Sequence, residues 1–116
     1  MPRPRKRRIV CGLPENESFA PLNYTGENGT VVMSVDEYES IRLIDVEGLT
    51  QEECAEQMNV ARTTVQGIYD NARKKLADVL VNSRCLVIEG GDYRLCDGAG
   101  RYCGRNCRRH GRNGEE

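Results

Sequence analysis

Apolar side chains recur every three or four residues through the middle of this chain and become sparse toward its two ends. The firmest stripe runs from Arg62 to about Leu80. There Val65, Ile68, Tyr69, Ala72, Leu76 and Val79 return at spacings of three, four and seven and predict a long amphipathic helix. Upstream, Ser34-Val35-Asp36-Glu37 has the form of a capping box, with a hydroxyl for the amide of Glu37 and a carboxylate for the amide of Ser34. A helix starting there would carry Tyr38, Ile41 and Ile44 on one face and stop at Gly48. Thr50-Gln51-Glu52-Glu53 repeats the signature two residues later, so a second, short helix must begin at a large angle to the first and reach about Met58. Asn59 then stands where a left-handed residue has to reverse the chain.

Strand signals are weaker. Val31, Val32 and Met33 are at most one short strand, and Leu86 to Leu95 reads as two short runs about Gly90-Gly91, a β-hairpin. Residues 11–30 are rich in Pro, Asn and Gly around Leu13, Phe19, Leu22 and Tyr24, which predicts irregular structure packed on something else. The expected fold is therefore mainly α: a three-helix helix-turn-helix domain over residues 11–95 with a small C-terminal hairpin. A flexible basic arm over residues 1–10 precedes it, and a Cys-, Arg- and Gly-rich tail over residues 96–116 follows.

Charge sharpens this picture. The net charge of −1 argues against a polyanionic partner, but the charges are sorted along the chain. The first ten residues carry five basic side chains and no acidic one, and residues 11–58 carry eleven acidic against one basic. Residues 59–84 turn basic again, five against two. No apolar run approaches the roughly 18 residues of a membrane span, and no apolar stretch follows the charged N-terminus as in a signal peptide. A cytoplasmic protein without membrane contact is expected, and its six cysteines are then read as thiols or metal ligands rather than disulfides.

A short helix, a tight turn and a longer helix, here Thr50–Met58, Asn59–Ala61 and Arg62–Leu80, is the arrangement that lays the second helix in a DNA major groove. Ala55 is small enough to let the helices cross closely, and Val60 and Val65 can fill the corner. At about 100° per residue, the side opposite the core holds Thr63, Gly67, Asp70 and Lys74, flanked by Gln66 and Thr64. These are side chains that read base edges rather than a face laced with ion pairs. Gly67 costs about 1 kcal/mol in mid-helix, a loss that a closely approaching backbone would justify. Asp70 argues the other way, because phosphates repel it unless it accepts from a cytosine amino group. The candidate DNA contacts are Arg62, Thr63, Thr64, Gln66, Gly67, Arg73 and Lys74, with Arg3, Arg5, Lys6, Arg7 and Arg8 of the arm on phosphates.

Four segments carry a resemblance to a known family: Met1-Pro2-Arg3-Pro4-Arg5-Lys6, the run from Leu43 to Glu53, the run from Asn59 to Val65, and Ile88-Glu89-Gly90-Gly91. Over roughly residues 1–93 the chain resembles the UPF0251 (DUF134) group of small bacterial and archaeal proteins, which implies DNA binding. The helix-turn-helix is also similar to the promoter-reading region 4 of sigma factors, with Ala72-Arg73-Lys74-Lys75-Leu76 matching its distal part. Asn59 stands where that pattern has Gly, and Ala61 where it has a capping Ser, a loss of about 1 kcal/mol.

In the tail, Cys96, Cys103, Cys107 and His110 could form a Cys₃His zinc site, and an iron–sulfur group is the other cofactor candidate. The usual pair of cysteines two residues apart is missing, so thiols in a loose tail are the plainer reading. No enzyme constellation is present: one His lies in the tail, no phosphate loop occurs, and the acidic residues 36–56 read as solvated helix faces. The expected function is sequence-specific binding of double-stranded DNA in transcription regulation. A homodimer would form through Leu76, Val79, Leu80, Val81, Leu86, Val87 and Ile88. The alternatives are a sigma-like interaction module that docks on another protein, RNA polymerase included, through segment 36–56, and a regulator that responds to metal or redox state through the tail.

Overall fold

The computed structural model describes residues 7–96. Five short strands and three helices follow in the order β1 (Arg8–Val10), β2 (Ser18–Phe19), β3 (Thr30–Met33), α1 (Val35–Ile41), α2 (Gln51–Met58), α3 (Arg62–Asn82), β4 (Cys85–Ile88) and β5 (Tyr93–Leu95). β1 and β5 form a parallel pair, while β4 lies centrally in a second sheet, antiparallel to β2 and parallel to β3.

This corrects the expectation of a mainly α three-helix domain: the architecture is α/β. Each strand is only two to four residues long. Their partners also lie far away in sequence, Met33 opposite Ile88 and Val10 opposite Leu95, so no local pattern announces the sheets. The expected hairpin is corrected too. Gly90 and Gly91 both take positive φ but carry the chain out of one sheet into the other instead of folding β5 back on β4. The Gly90 carbonyl accepts from the amide of Val35 at 2.9 Å. A Cβ on Gly91 would collide with the Asp36 carboxylate and come within 2.8 Å of Ser34 Cβ. The glycine pair thus seats the start of α1, and a side chain on Gly91 would push it away.

Both helix starts form as the sequence dictates. Ser34 N donates to Glu37 Oε1 at 3.0 Å and Glu37 N to Ser34 Oγ at 3.3 Å; Thr50 and Glu53 repeat the exchange at 3.0 Å each way. The first helix changes pitch after Ile41. Residues Arg42–Val46 wind as a π-helix, with Glu47 N donating to Arg42 O, before Gly48 ends the segment at φ +84°. The wider turn redirects the chain between two cores. Tyr38 and Ile41 pack with Val10, Met33, Val35, Ala72, Leu86 and Ile88, whereas Leu43 and Ile44 join Leu49, Cys54, Ala55, Met58 and Val65. α3 spans both cores, with Val65 in one and Ala72 in the other. Burial pushes the Cys54 thiol up to about 12, so it stays a neutral packing group.

The acidic segment is solvated only in part: Asp45, Glu52 and Glu56 are exposed. Asp36, Glu37 and Glu39 are buried, and Glu39 has no exposed surface. Arg42, itself 3% exposed, grips Glu39 with two donors at 3.0 and 2.9 Å and reaches Glu47 Oε2 at 3.3 Å. Burial works against the charge on Arg42, and the Glu39 carboxylate more than offsets it, so the guanidinium titrates above its ordinary value. Lys75 of α3 donates to Glu37 at 2.7 Å and ties α3 to the start of α1. Residues 8–10, assigned to the arm by sequence, belong to the fold: Val10 is fully buried, and Arg8 faces Asp36 and Asp92 at 3.7 Å each. Two residues of the expected dimer patch, Leu86 and Ile88, are core residues as well.

Candidate nucleic-acid interface

The chain reverses between α2 and α3 at Asn59, whose φ of 61° and ψ of 47° are left-handed, and Val60 N closes the turn on Ala55 O at 3.0 Å. Ala55 is 5% exposed and Val65 fully buried, so the two helices meet where a small residue and a β-branched one interlock. α3 begins at Arg62 without a side-chain cap; the Ala61 carbonyl takes the amides of Thr64 and Val65 at 3.0 and 3.1 Å. The missing hydroxyl therefore leaves the start of the helix in place.

Outward from this corner, Arg62, Thr63, Gln66, Gly67, Asp70, Arg73 and Lys74 are exposed, and Thr64 is half-buried. They cover thirteen residues of helix, 62–74, roughly 18 Å end to end at about 1.5 Å per residue. Three of these side chains are basic and one acidic, which leaves the face net positive. Arg73 is held in place: its Nη1 donates to Tyr69 Oη at 2.6 Å and lies 3.6 Å from Asp45 Oδ1, while Tyr69 Oη donates to the same carboxylate at 2.8 Å. Burial and the hydrogen bond to Asp45 raise the Tyr69 pKa, so the phenol keeps its proton and remains a donor. Sequence reading did not find this contact, because Asp45 reaches α3 only through the π-wound turn.

Nothing lies within 4 Å of a Cβ built on Gly67, so no packing inside the chain requires glycine there. Gly67→Ala is expected to stabilise the fold by about 1 kcal/mol and raise the melting temperature. If a nucleic-acid backbone approaches this spot, the same change lowers duplex affinity. Thermal melts and binding titrations on the one variant separate the two effects.

Of the other candidate residues, Arg3, Arg5 and Lys6 lie outside the described residues, as do Cys103, Cys107 and His110. Arg7 is exposed at the edge of β1, and Arg8 is turned to its two carboxylates. Cys96 is buried beside Cys11, a neighbour the sequence reading did not assign to it. The available signal was slight: Arg8-Ile9-Val10 and Tyr93-Arg94-Leu95 are each followed by a cysteine. No group of three or more His, Cys, Asp or Glu side chains is placed to hold a metal among the described residues. No helix among them is long and apolar enough to cross a membrane.

No solved structure matches the chain. A UPF0251 protein of Desulfitobacterium hafniense (strain Y51) is 63% identical over 121 residues, covering 100% of this chain and 97% of the relative. One from Thermoanaerobacter pseudethanolicus is 44% identical over 117 residues, covering 100% and 99%. A third, from Caldicellulosiruptor bescii, is 49% identical over 107 residues, covering 92% of this chain and 74% of the relative. The family model described as "Protein of unknown function DUF134" matches residues 1–96. The chain therefore belongs to the DUF134 family, whose relatives here carry the name UPF0251.

Proposed function

We propose that this protein is a non-enzymatic, sequence-specific binder of double-stranded DNA that acts in transcription regulation, with α2, its turn and α3 working as a helix-turn-helix. The observation that carries the reading is the outer face of α3 from Arg62 to Lys74. The rest of the described fold leaves it open, and it offers hydrogen-bonding and basic side chains about a glycine whose Cβ position is empty. Thr63 and Gln66 project where base edges would lie, Arg62, Arg73 and Lys74 can hold phosphates, and α2 braces the helix through the buried corner. Arg3, Arg5, Lys6 and Arg7 add sequence-independent attraction. The competing reading, docking through segment 36–56, is disfavoured because Asp36, Glu37 and Glu39 are committed inside the fold.

Thr63→Ala and Gln66→Ala are each expected to cost roughly 1–3 kcal/mol of binding to a selected duplex, with no change on random duplex and none in melting temperature. Equal loss on both duplexes would remove these residues from base reading.

A homodimer belongs to the same proposal. At the far end of α3, Leu80 and Val81 are 79% and 78% exposed. Leu80 borders an apolar groove of about 320 Å³ formed with Phe19, Tyr38, Ile41, Leu76 and Val79. A second copy seated there would pair two reading heads. Light scattering at micromolar concentration should give the dimer mass, and a monomer mass both free and on DNA would refute the pairing.

A further inference from the structure

Arg62, Gln66, Tyr69 and Arg73 follow one another on α3 at steps of four, three and four, one line along the flank of the proposed reading face. Thr63, Gly67, Asp70 and Lys74 lie further round the helix, so this flank would meet the wall of a groove, where phosphates run, rather than its floor. At the far end of the line, side chains from two elements are joined. Arg73 Nη1 donates to Tyr69 Oη at 2.6 Å, Tyr69 Oη donates to Asp45 Oδ1 at 2.8 Å, and the guanidinium carbon stands 5.5 Å from the centre of the Tyr69 ring. The ring and the Nη1 bond fix the plane of the fork and leave the donors on Nε and Nη2 for another acceptor.

Asp45 is set in place by a different part of the fold. It stands in the π-wound turn Arg42–Val46, which Glu47 N closes on Arg42 O at 2.9 Å and Leu49 N on Leu43 O at 3.0 Å, while the Arg42 side chain reaches Glu47 from the core. A π turn takes one residue more than an α turn, and such turns gather at functional sites. The trio does little for stability: the Arg73 and Asp45 side chains are 58% and 38% exposed, and ion pairs open to water contribute little. α1 and α3 are already joined by apolar packing and by Lys75 on Glu37. A carboxylate beside a helix that reads DNA also repels phosphate, so its place there calls for a role other than its charge.

We infer that Asp45 and Tyr69 are positioning residues of the DNA interface, which hold the Arg73 guanidinium ready to take one backbone phosphate through Nε and Nη2. This rests on the reading of α3 as the DNA-contacting helix and adds to it the π-wound turn, which acts on the duplex through Arg73. A fork held in this way loses less freedom on binding than a loose arginine side chain, and that difference is what Asp45 and Tyr69 contribute.

The test titrates the full chain by fluorescence anisotropy against a labelled duplex of random sequence over a series of salt concentrations. Arg73→Ala should weaken binding about tenfold at physiological salt and flatten the dependence of log K on log salt by about 0.9. Asp45→Ala and Tyr69→Phe should each weaken it roughly threefold, the cost of ordering one long side chain. Asp45→Asn, whose amide oxygen still accepts from Tyr69, should stay within about twofold of the unaltered protein. In the Arg73→Ala background, Asp45→Ala should leave binding unchanged or tighten it, because only the repulsion of phosphate is then lost. An Asp45 that merely supported the fold would cost affinity in both backgrounds. Asp45→Ala binding at least as tightly as the unaltered protein, while Lys74→Ala binds more weakly, would overturn the inference and leave the DNA reading standing. A loss that persists in the Arg73→Ala background, or Asp45→Asn as weak as Asp45→Ala, would overturn it too. Failure of the unaltered chain to bind duplex would remove both.

Discussion

Arg42→Ala is expected to destabilise the protein by about 3–5 kcal/mol, a drop in melting temperature on the order of 15–30 °C for a domain of this size. The reason is the partner left behind. Glu39 is fully buried, and of the hydrogen bonds that hold its carboxylate only the one from the Cys11 amide survives the loss of Arg42, so a charge in the interior loses both guanidinium donors. Glu47, which reaches the same guanidinium from the end of the π-wound turn, would be released as well. Replacing both members with apolar residues, Glu39→Leu with Arg42→Met, should recover much of the loss, because a paired charge and an apolar pair of similar volume are close in cost. Urea or thermal denaturation of the single and double variants reads the effect. A loss below about 1 kcal/mol in Arg42→Ala would mean that the pair is not closed off from water.

The second large effect concerns binding. Arg62→Glu combined with Lys74→Glu should lower affinity for any duplex by at least about 100-fold at physiological salt. It should also flatten the dependence of log K on log salt by about 1.8, at about 0.9 for each lost phosphate contact. Both side chains are exposed at opposite ends of the proposed reading face, and neither makes an ion pair with a described residue, so the fold should survive the reversal. Arg94→Glu on β5, also exposed, serves as the control and should change little. A double reversal that behaves like Arg94→Glu would take α3 out of the interface.

What could be read from the sequence was whatever is settled within a few residues. The capping boxes at Ser34 and Thr50, the left-handed turn at Asn59, and the start of α3 at Arg62 each depend on groups three or four positions apart, and each stands in the structure. The stripe of Val65, Ile68 and Ala72 is buried as its spacing requires. The sheets were hidden because their pairing joins distant segments: Thr30 to Met33 finds Cys85 to Ile88, and Arg8 to Val10 finds Tyr93 to Leu95. The same distance hid the meeting of Cys11 and Cys96. Gly90-Gly91 looked like a hairpin turn because two glycines serve either a reversal or a close approach, and the neighbour that decides between them, the N-terminus of α1, lies some 55 residues away. Glu39 looked solvated because charge pattern alone does not distinguish an exposed carboxylate from a buried one paired with Arg42; the packing of β1 and α3 against α1, and of α2 against the π-wound turn, makes it buried. Of the proposed reading face, Thr63, Gln66, Gly67, Asp70 and Lys74 were visible from helical geometry, while the contact of Arg73 with Tyr69 and Asp45 was not.

The most direct measurement for the central claim, that the outer face of α3 reads duplex DNA, is selection of bound sequences by the full chain from a randomised duplex library. The same selection would be run in parallel on Thr63→Ala with Gln66→Ala. The account predicts one enriched motif for the unaltered protein, lost or relaxed at defined positions in the variant while total binding to random duplex persists. No enrichment over the input library, or an identical motif from the variant, would contradict it.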